Sequence, residues 1–504
     1  MNKSEGLVAR SPATIVIVVA LAFAGLWTPV SGTHPDEAWY LSVSAEMRET
    51  GAWLTPTIEG EPAFFKPPLL YWLHRVSFGV FGFSLFSARL SSALAAIALA
   101  VVVAALARRF KGDPLVAFGV TATSFGVFRF GHVAMMDVPM TLALAGLALC
   151  VVNCVERGEG RKLLLAGVCA SAAVMLKGPV GLVLSVAIGG GYLVVRGRTW
   201  LKSRYLLGAV AIFGALTAPW FVSQWLEYRD TFIEKFLTQE HLGKLNAKWR
   251  FTDEFTLLGF MAAATAPWLL LVASGFKQRP WSSPERVLPT LIWVAVLVIY
   301  SLPASKQLHY AVPCVIAGAL VISTSQPERW ALRMTAALLA LVSLGGLVAM
   351  LGLPSLSAGV AVVAFAFAAV ALWRSHTLPA VMGVGVGLCV VYGVLVPGVV
   401  PPFVPPELTT LNARLSIEET YGGVYWLASS RRVHRTWGAH DALQSGAAVI
   451  MSPARWATEN HEGLEVLLRW PRIRARLGPT ELFTAWREHS LSGLTDDVVI
   501  VKQR

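Results

Sequence analysis

T-H-P-D-E-A-W-Y-L-S-V-S-A-E-M, residues 33–47, follows directly on an apolar run at 12–30. A helix of that length is enough to cross the roughly 30 Å hydrocarbon core of a bilayer. Two adjacent acids, Asp36 and Glu37, therefore stand where the chain leaves a membrane, a place where an unpaired charge is costly. No convincing A-x-A cleavage site precedes Thr33, and many apolar stretches follow. The run is expected to stay as a first transmembrane helix rather than to be removed as a signal peptide.

The rest of the 504 residues fit that reading: 55% are hydrophobic and only 14% charged, with a mean hydropathy of +0.60. A soluble chain would carry about a quarter charged residues. The sequence predicts a polytopic α-helical membrane protein of about thirteen spans. They are placed near 12–30, 85–107, 115–130, 133–153, 162–176, 179–195, 204–222, 254–274, 286–302, 307–323, 330–352, 356–373 and 378–397. Lys177-Gly178-Pro179 divides what would otherwise read as one long span at 162–195.

A net charge of +12 could point to nucleic acid. Its distribution excludes that reading. With the N-terminus cytoplasmic, the loops at 108–113, 156–162, 196–204, 276–280 and 327–333 each carry at least two Lys or Arg on the same side, while the loop at 353–357 opposite carries none. This alternation is the positive-inside pattern. It gathers 31–84, the turn near 130, Lys177, the loop 223–253, the turn 301–310 and everything after 398 on the extracytoplasmic face. The Pro-rich run P-G-V-V-P-P-F-V-P-P (397–406) reads as a linker. It divides a transmembrane part, 1–400, from a C-terminal part, 401–504. The latter alternates strand-like runs such as D-V-V-I-V (497–501) with helical patterns, and reads as a small α/β domain outside the membrane. In the long first loop, 31–84, Pro35 and Gly51 bracket a helix near 35–50, and a second helix is expected from Pro68 to about Phe78. Cys150, Cys154, Cys169, Cys314 and Cys389 all lie in or beside apolar spans and form no CxxC pair. They are core residues rather than a disulfide or metal framework.

The polar residues gathered on the outer face are the candidate site. Asp36 and Glu37 occupy the first turn of a helix, where the dipole favours anions, beside Trp39 and Tyr40. Lys66 is flanked by aromatics and prolines in F-F-K-P-P-L-L-Y-W. Its compact ammonium suits a phosphate, although a lysine at an interface also snorkels. Asp137 begins a span just before Pro139 and could be a simple helix-start acid, whereas Lys177 interrupts an apolar stretch. An intramembrane cation is a functional hypothesis by default. Lys306 and Tyr310, four apart, share a helix face if a helix starts there, and Arg129 and His241 lie close by in the outer turns. Together they describe a cavity for a substrate with a lipid tail in the bilayer and a phosphate at its surface. Lysines would hold the phosphate and an acid would activate a nucleophile.

The order of motifs H-P-D-E-A-W-Y, G-A-W-L-T-P, G-E-P-A-F-F-K-P-P-L-L-Y-W-L, M-M-D-V-P, L-K-G-P-V-G-L, Q-E-H-L and S-K-Q-L-H-Y-A-V-P resembles the lipid-A aminoarabinose transferase family. That family lies within the dolichyl-phosphate-mannose protein mannosyltransferase superfamily, of GT-C fold. The match extends from about residue 30 to 325. The resemblance implies transfer of a sugar from a polyprenyl-phosphate donor to a lipid A, glycan or protein acceptor, at the outer face of a bacterial inner membrane. It maps the catalytic acids onto Asp36, Glu37 and Asp137. It maps the substrate-binding groups onto Lys66, Lys177, Lys306 and Tyr310, and Tyr40, Arg129 and His241 join them as substrate-binding candidates by their place on the outer face. Two positions depart from the pattern. The family's Glu before the lysine is here Phe65, and its Arg within the first-loop motif is here Trp39. That Glu, with the histidine matching His241, can bind a divalent metal. A metal site here would need Glu59, Glu61 or Glu240 instead, and a donor or acceptor other than the aminoarabinose pair is expected. A flippase for lipid-linked glycans would share the spans and cavity, but such folds often show internal repeats and none is visible. A non-catalytic scaffold is the third reading, opposed by Asp36, Lys66 and Asp137.

Overall fold

The computed structural model describes residues 20, 35–243, 251–278, 280, 282–303, 305–352, 356–395, 404–411, 413–418, 425–427, 432–436, 439–473 and 495–503. The expected first span at 12–30 and most of the Pro-rich stretch lie outside these residues. Two helices come first, α1 (Pro35–Glu49) and α2 (Leu69–Phe81), joined through a two-stranded antiparallel hairpin of β1 (Thr57–Ile58) and β2 (Glu61–Pro62). The bundle follows: α3 (Leu85–Arg109), α4 (Pro114–Thr123), α5 (Phe125–Gly131), α6 (Asp137–Arg157), α7 (Lys162–Lys177), α8 (Pro179–Arg196) and α9 (Arg204–Leu242). It continues with α10 (Phe251–Thr265), α11 (Leu269–Phe276), α12 (Pro284–Ser301), α13 (Leu308–Thr324), α14 (Arg329–Gly352), α15 (Leu356–Trp373) and α16 (Thr377–Leu395).

Among the described residues eight helices are long and apolar enough to cross a membrane, and ten spans result if the bent pairs α4–α5 and α10–α11 each count as one. The chain is thus a multi-pass membrane protein, but thirteen spans are not reproduced by length. Helix α7 has only 16 residues, about 24 Å at 1.5 Å per residue, short of a bilayer core. It stops at Gly178, whose φ of +62° is a left-handed conformation that β-carbons resist. Helix α13 is likewise shorter than a full span.

Local signals set the helix ends. Ser84 caps α3 by accepting from the Ser87 amide at 3.2 Å. Asp113 caps α4 through the Leu115 and Val116 amides at 2.8 and 3.2 Å, with Pro114 at the first helical position. Gly181 in α8 lets its backbone lie directly against the Ala173 carbonyl of α7, where a β-carbon would clash. This close approach folds the short α7 back on α8 and places Lys177 at their junction.

The C-terminal residues build a five-stranded sheet in the order β4-β3-β5-β7-β6, with β3 (Leu415–Glu418), β4 (Val433–Thr436), β5 (Ala448–Met451), β6 (Leu464–Ile473) and β7 (Thr495–Gln503). Strand β3 pairs in parallel with β4 and β5, and β7 runs antiparallel to β5 and β6. One apolar cluster joins this sheet to the first loop. Leu415, Ile417, Trp426 and Ile500 pack with Ala38, Leu41 and Ala45 of α1 and Phe78 of α2. Polar contacts reinforce it. Glu59 of the β1–β2 turn lies 3.2 Å from His434 Nδ1 and accepts from the Arg435 amide at 3.1 Å.

Burial pushes the Glu59 carboxyl up, but the His434 and Arg435 hydrogen bonds, with the charges of His434 and Arg432, outweigh it and hold the group low. A carboxyl held low when folded contributes stability that is present above its unfolded pKa and is lost as pH falls through the folded value. Acidification below about pH 4 is expected to loosen β4 from the first loop. Hydrogen exchange of the β4 amides should accelerate there in the wild type, and Glu59→Gln should exchange fast already at neutral pH.

Candidate active site

The first loop is held to the bundle through α1. Leu41, Val43 and Met47 are fully buried, each worth about 1.5–3 kcal/mol of apolar transfer. Ser44 donates to the Tyr40 carbonyl at 2.8 Å and lies 2.7 Å from His74 Nδ1 of α2. Glu37, wholly buried, accepts from Arg89 of α3 through both oxygens, at 2.8 and 3.1 Å, and from the Ala134 amide at 2.8 Å. Its carboxylate is saturated and inaccessible. The geometry makes it an anchor, which corrects the catalytic role expected for it. Asp36, the preceding residue, points elsewhere and keeps partial exposure.

Asp36 faces a group of charges and phenols. Burial raises the Tyr40 phenol well above its usual pKa, and the negative charges of Asp36, Asp137 and Glu240 add to it, with Tyr71. Tyr310 lies in the field of Lys177, Asp137, Asp36 and Glu240. The structure therefore brings Asp36, Tyr40, Asp137, Lys177, Glu240 and Tyr310 together from five elements. At the centre, Lys177 Nζ lies 2.5 Å from Asp137 Oδ1, and both side chains are almost fully buried. The ammonium sits 5.0 Å from the Tyr310 ring and 5.6 Å from the Tyr300 ring. Those rings stack at 4.4 Å between centroids. The carboxylate and two aromatic faces keep a cation charged where burial alone would neutralise it.

Lys66 pairs closely with Glu240, and both are mostly buried. Next to it, His241 Nδ1–H donates to the Phe236 carbonyl at 2.5 Å. The His241 ring edges toward Gly178, where a β-carbon would stand 3.1 Å from Nε2. The Lys66–Glu240 pair and the Lys177 turn are thus neighbours through His241. Arg129 lies at the margin: its guanidinium is 5.9 Å from the Phe130 ring, which meets His309 at 5.8 Å, beside Tyr310. Lys306 is employed differently from the expected phosphate contact. It donates to the Ser301 and Pro303 carbonyls at 2.7 and 2.6 Å and lies 3.1 Å from Glu254 Oε1. It closes the C-terminal end of α12, where cations complement the dipole.

The residues present do not fit a divalent metal. Among the described residues no group of three His, Cys, Asp or Glu is placed to hold one. Glu240 is taken by Lys66, Glu59 by the C-terminal sheet, and Phe65 packs edge to face on Trp39 at 5.1 Å. Sequence reasoning missed Arg89, Tyr300 and the pairing role of Glu240. Arg89 sits inside an apolar span, and an intramembrane arginine needs a counter-charge. That signal could have found it.

The family profile described as dolichyl-phosphate-mannose-protein mannosyltransferase matches residues 65–223. An undecaprenyl phosphate-alpha-4-amino-4-deoxy-L-arabinose arabinosyl transferase of Enterobacter sp. (strain 638) is 29% identical over 326 residues, covering 62% of this chain and 57% of that protein. An uncharacterized protein of Aquifex aeolicus is 27% identical over 320 residues, 62% of this chain and 61% of its own length. The match thus spans under two-thirds of these relatives. The crystal structure of ArnT from Cupriavidus metallidurans bound to undecaprenyl phosphate superposes with a TM-score of 0.67 at 17% identity, over 99% of this chain and 98% of that one. The profile match, these relatives and the shared fold support the GT-C glycosyltransferase superfamily for this chain.

Arg89→Met leaves Glu37 buried without its counter-charge, a change that costs about 3–5 kcal/mol. The thermal midpoint of the purified protein should fall sharply. Lys306→Met, which removes one end-cap of α12, should lower it less.

Proposed function

We propose that this protein transfers a sugar from a polyprenyl-phosphate donor to an acceptor on the extracytoplasmic face of the bacterial inner membrane. The observation that carries the reading is the Lys177–Asp137 pair under Tyr300 and Tyr310, set at a helix end with Asp36 in the same field. It supplies a buried cation for a departing phosphate and an accessible acid beside it. The Enterobacter relative is by name an undecaprenyl-phosphate-dependent arabinosyl transferase, which agrees with a lipid-linked donor.

In the proposed reaction the acceptor oxygen attacks the anomeric carbon from the face opposite the phosphate. The carbon–oxygen bond to phosphate breaks, and its electron pair leaves with the polyprenyl phosphate, so the configuration inverts. Asp36 takes the acceptor proton or orients the acceptor. Lys177 and Lys66 stabilise the leaving phosphate, with Tyr310 and Arg129 lining the approach. Asp137 and Glu240 hold the two lysines in place, Glu37 and Lys306 hold the framework, and His241 and Tyr40 pack the wall. No step needs a metal.

Asp36→Asn keeps the shape of the side chain but not its basicity. A deletion strain carrying this variant should lack one sugar on one envelope glycan and accumulate the polyprenyl-phosphate sugar, as read by mass spectrometry. An unchanged profile with normally expressed variant would overturn the reading. Lys177→Met should lower kcat by about 10²–10³, the usual effect of removing one charge-stabilising group, while Lys177→Arg should retain part of it.

A further inference from the structure

A second cavity, of about 360 Å³, lies between the end of α1 and the C-terminal sheet. Ala45, Arg48, Glu49, Phe83, Trp426 and Arg432 line it. Each arginine rests on an aromatic ring: Arg48 lies 4.6 Å from the Phe83 centroid, and Arg432 lies 5.3 Å from that of Trp426. Cation–π contact fixes the plane of a guanidinium and leaves its N–H edge for hydrogen bonding. The two arginines are not equivalent. Arg432 is held by Glu49 at 2.9 Å and Glu46 at 3.3 Å. The Arg48 guanidinium rests on the Phe83 ring and donates to no acceptor among the described residues.

The charges around the cavity decide what it takes. Arg48, Arg432 and Glu49 line it, and Glu46 lies behind. The Glu46 oxygens also receive the Glu59 and Gly60 amides at 2.7 and 2.9 Å, which hold that carboxylate at the β1–β2 turn, outside the lining. The lining therefore carries one cation in excess, a planar fork of N–H donors suited to the paired oxygens of phosphate or carboxylate. The volume accommodates a sugar ring together with such a group, on the scale of small-molecule pockets. Arg48 and Asp36 sit on one helix, twelve residues apart, which at 1.5 Å per residue is about 18 Å. That separation is the length of a few linked sugars.

We propose that this cavity is an acceptor subsite that binds an anionic group, phosphate or carboxylate, on the glycan or lipid headgroup whose other end reaches Asp36. The proposal rests on the transferase reading for its role, but its binding chemistry stands independently. Purified full-length protein in phosphatidylcholine nanodiscs should bind glucose 1-phosphate and not methyl glucoside by isothermal titration. Arg48→Glu should weaken that binding at least tenfold, and Arg48→Lys should keep much of it. If Arg48→Glu lowers the thermal midpoint, Arg48→Gln carries the same test without charge reversal. Asp36→Asn should bind glucose 1-phosphate like the wild type even though transfer is lost, so the two readings fail separately. Competition by phosphatidylglycerol nanodiscs would assign the anion to a lipid headgroup, and its absence would assign it to the glycan itself. Equal binding of the charged and neutral sugars, or undiminished binding in the Arg48 variants, would overturn the proposal.

Discussion

The buried pair of Glu37 and Arg89 is the constraint on which the outer end of the molecule depends. An arginine inside an apolar helix and a carboxylate at a membrane exit are each costly alone. Joined through two hydrogen bonds, with the Ala134 amide as a third donor to the carboxylate, they satisfy each other. The pair fixes α1 to α3 and to the loop before α6 at one point. Because Asp36 precedes Glu37 and Asp137 follows Ala134 by three residues, that single point sets the separation of the two acids of the site. Buried ion pairs are weak evidence of net stability. Here the pair's value lies in register: it holds α1 at one rotation, so Asp36 looks into the cavity while Glu37 looks away.

The same helix then passes that placement to the C-terminal sheet. Its apolar face packs into one cluster with the sheet. Near its other end, Glu46 receives the Glu59 and Gly60 amides and lies 3.3 Å from an Arg432 nitrogen. The first loop and the C-terminal sheet are therefore coupled through one helix, with Asp36 near one end and the arginine-lined cavity near the other.

Much of this was legible in the sequence, for reasons that can be named. Apolar runs predict spans because an unsatisfied backbone in lipid must become helix, and Pro35 and Gly51 bracket α1 because each has a positional preference at a helix end. The charged residues of the site stood out because charge is rare in such a chain. What the sequence withheld was pairing. Nothing along the chain distinguishes Asp36 from Glu37. Only the fold shows that Glu37 is paired with Arg89, fifty-two residues on, and wholly buried, while Asp36 keeps partial exposure. Lys177 and Lys306 look alike as outer-face lysines, and only the fold shows that one meets Asp137 beneath two stacked tyrosines while the other meets Glu254 and closes the end of α12.

The two departures from the aminoarabinose transferase pattern also acquire a common explanation. Trp39 and Phe65 are separated by twenty-six positions, and in the fold their rings meet edge to face at 5.1 Å. Edge-to-face pairs add about 0.5–1.5 kcal/mol beyond burial, and a glutamate at position 65 would instead set a carboxylate against the Trp39 ring. The contact replaces what would be a polar corner of the site by an apolar one, directly beside Lys66. Glu240 there pairs with Lys66.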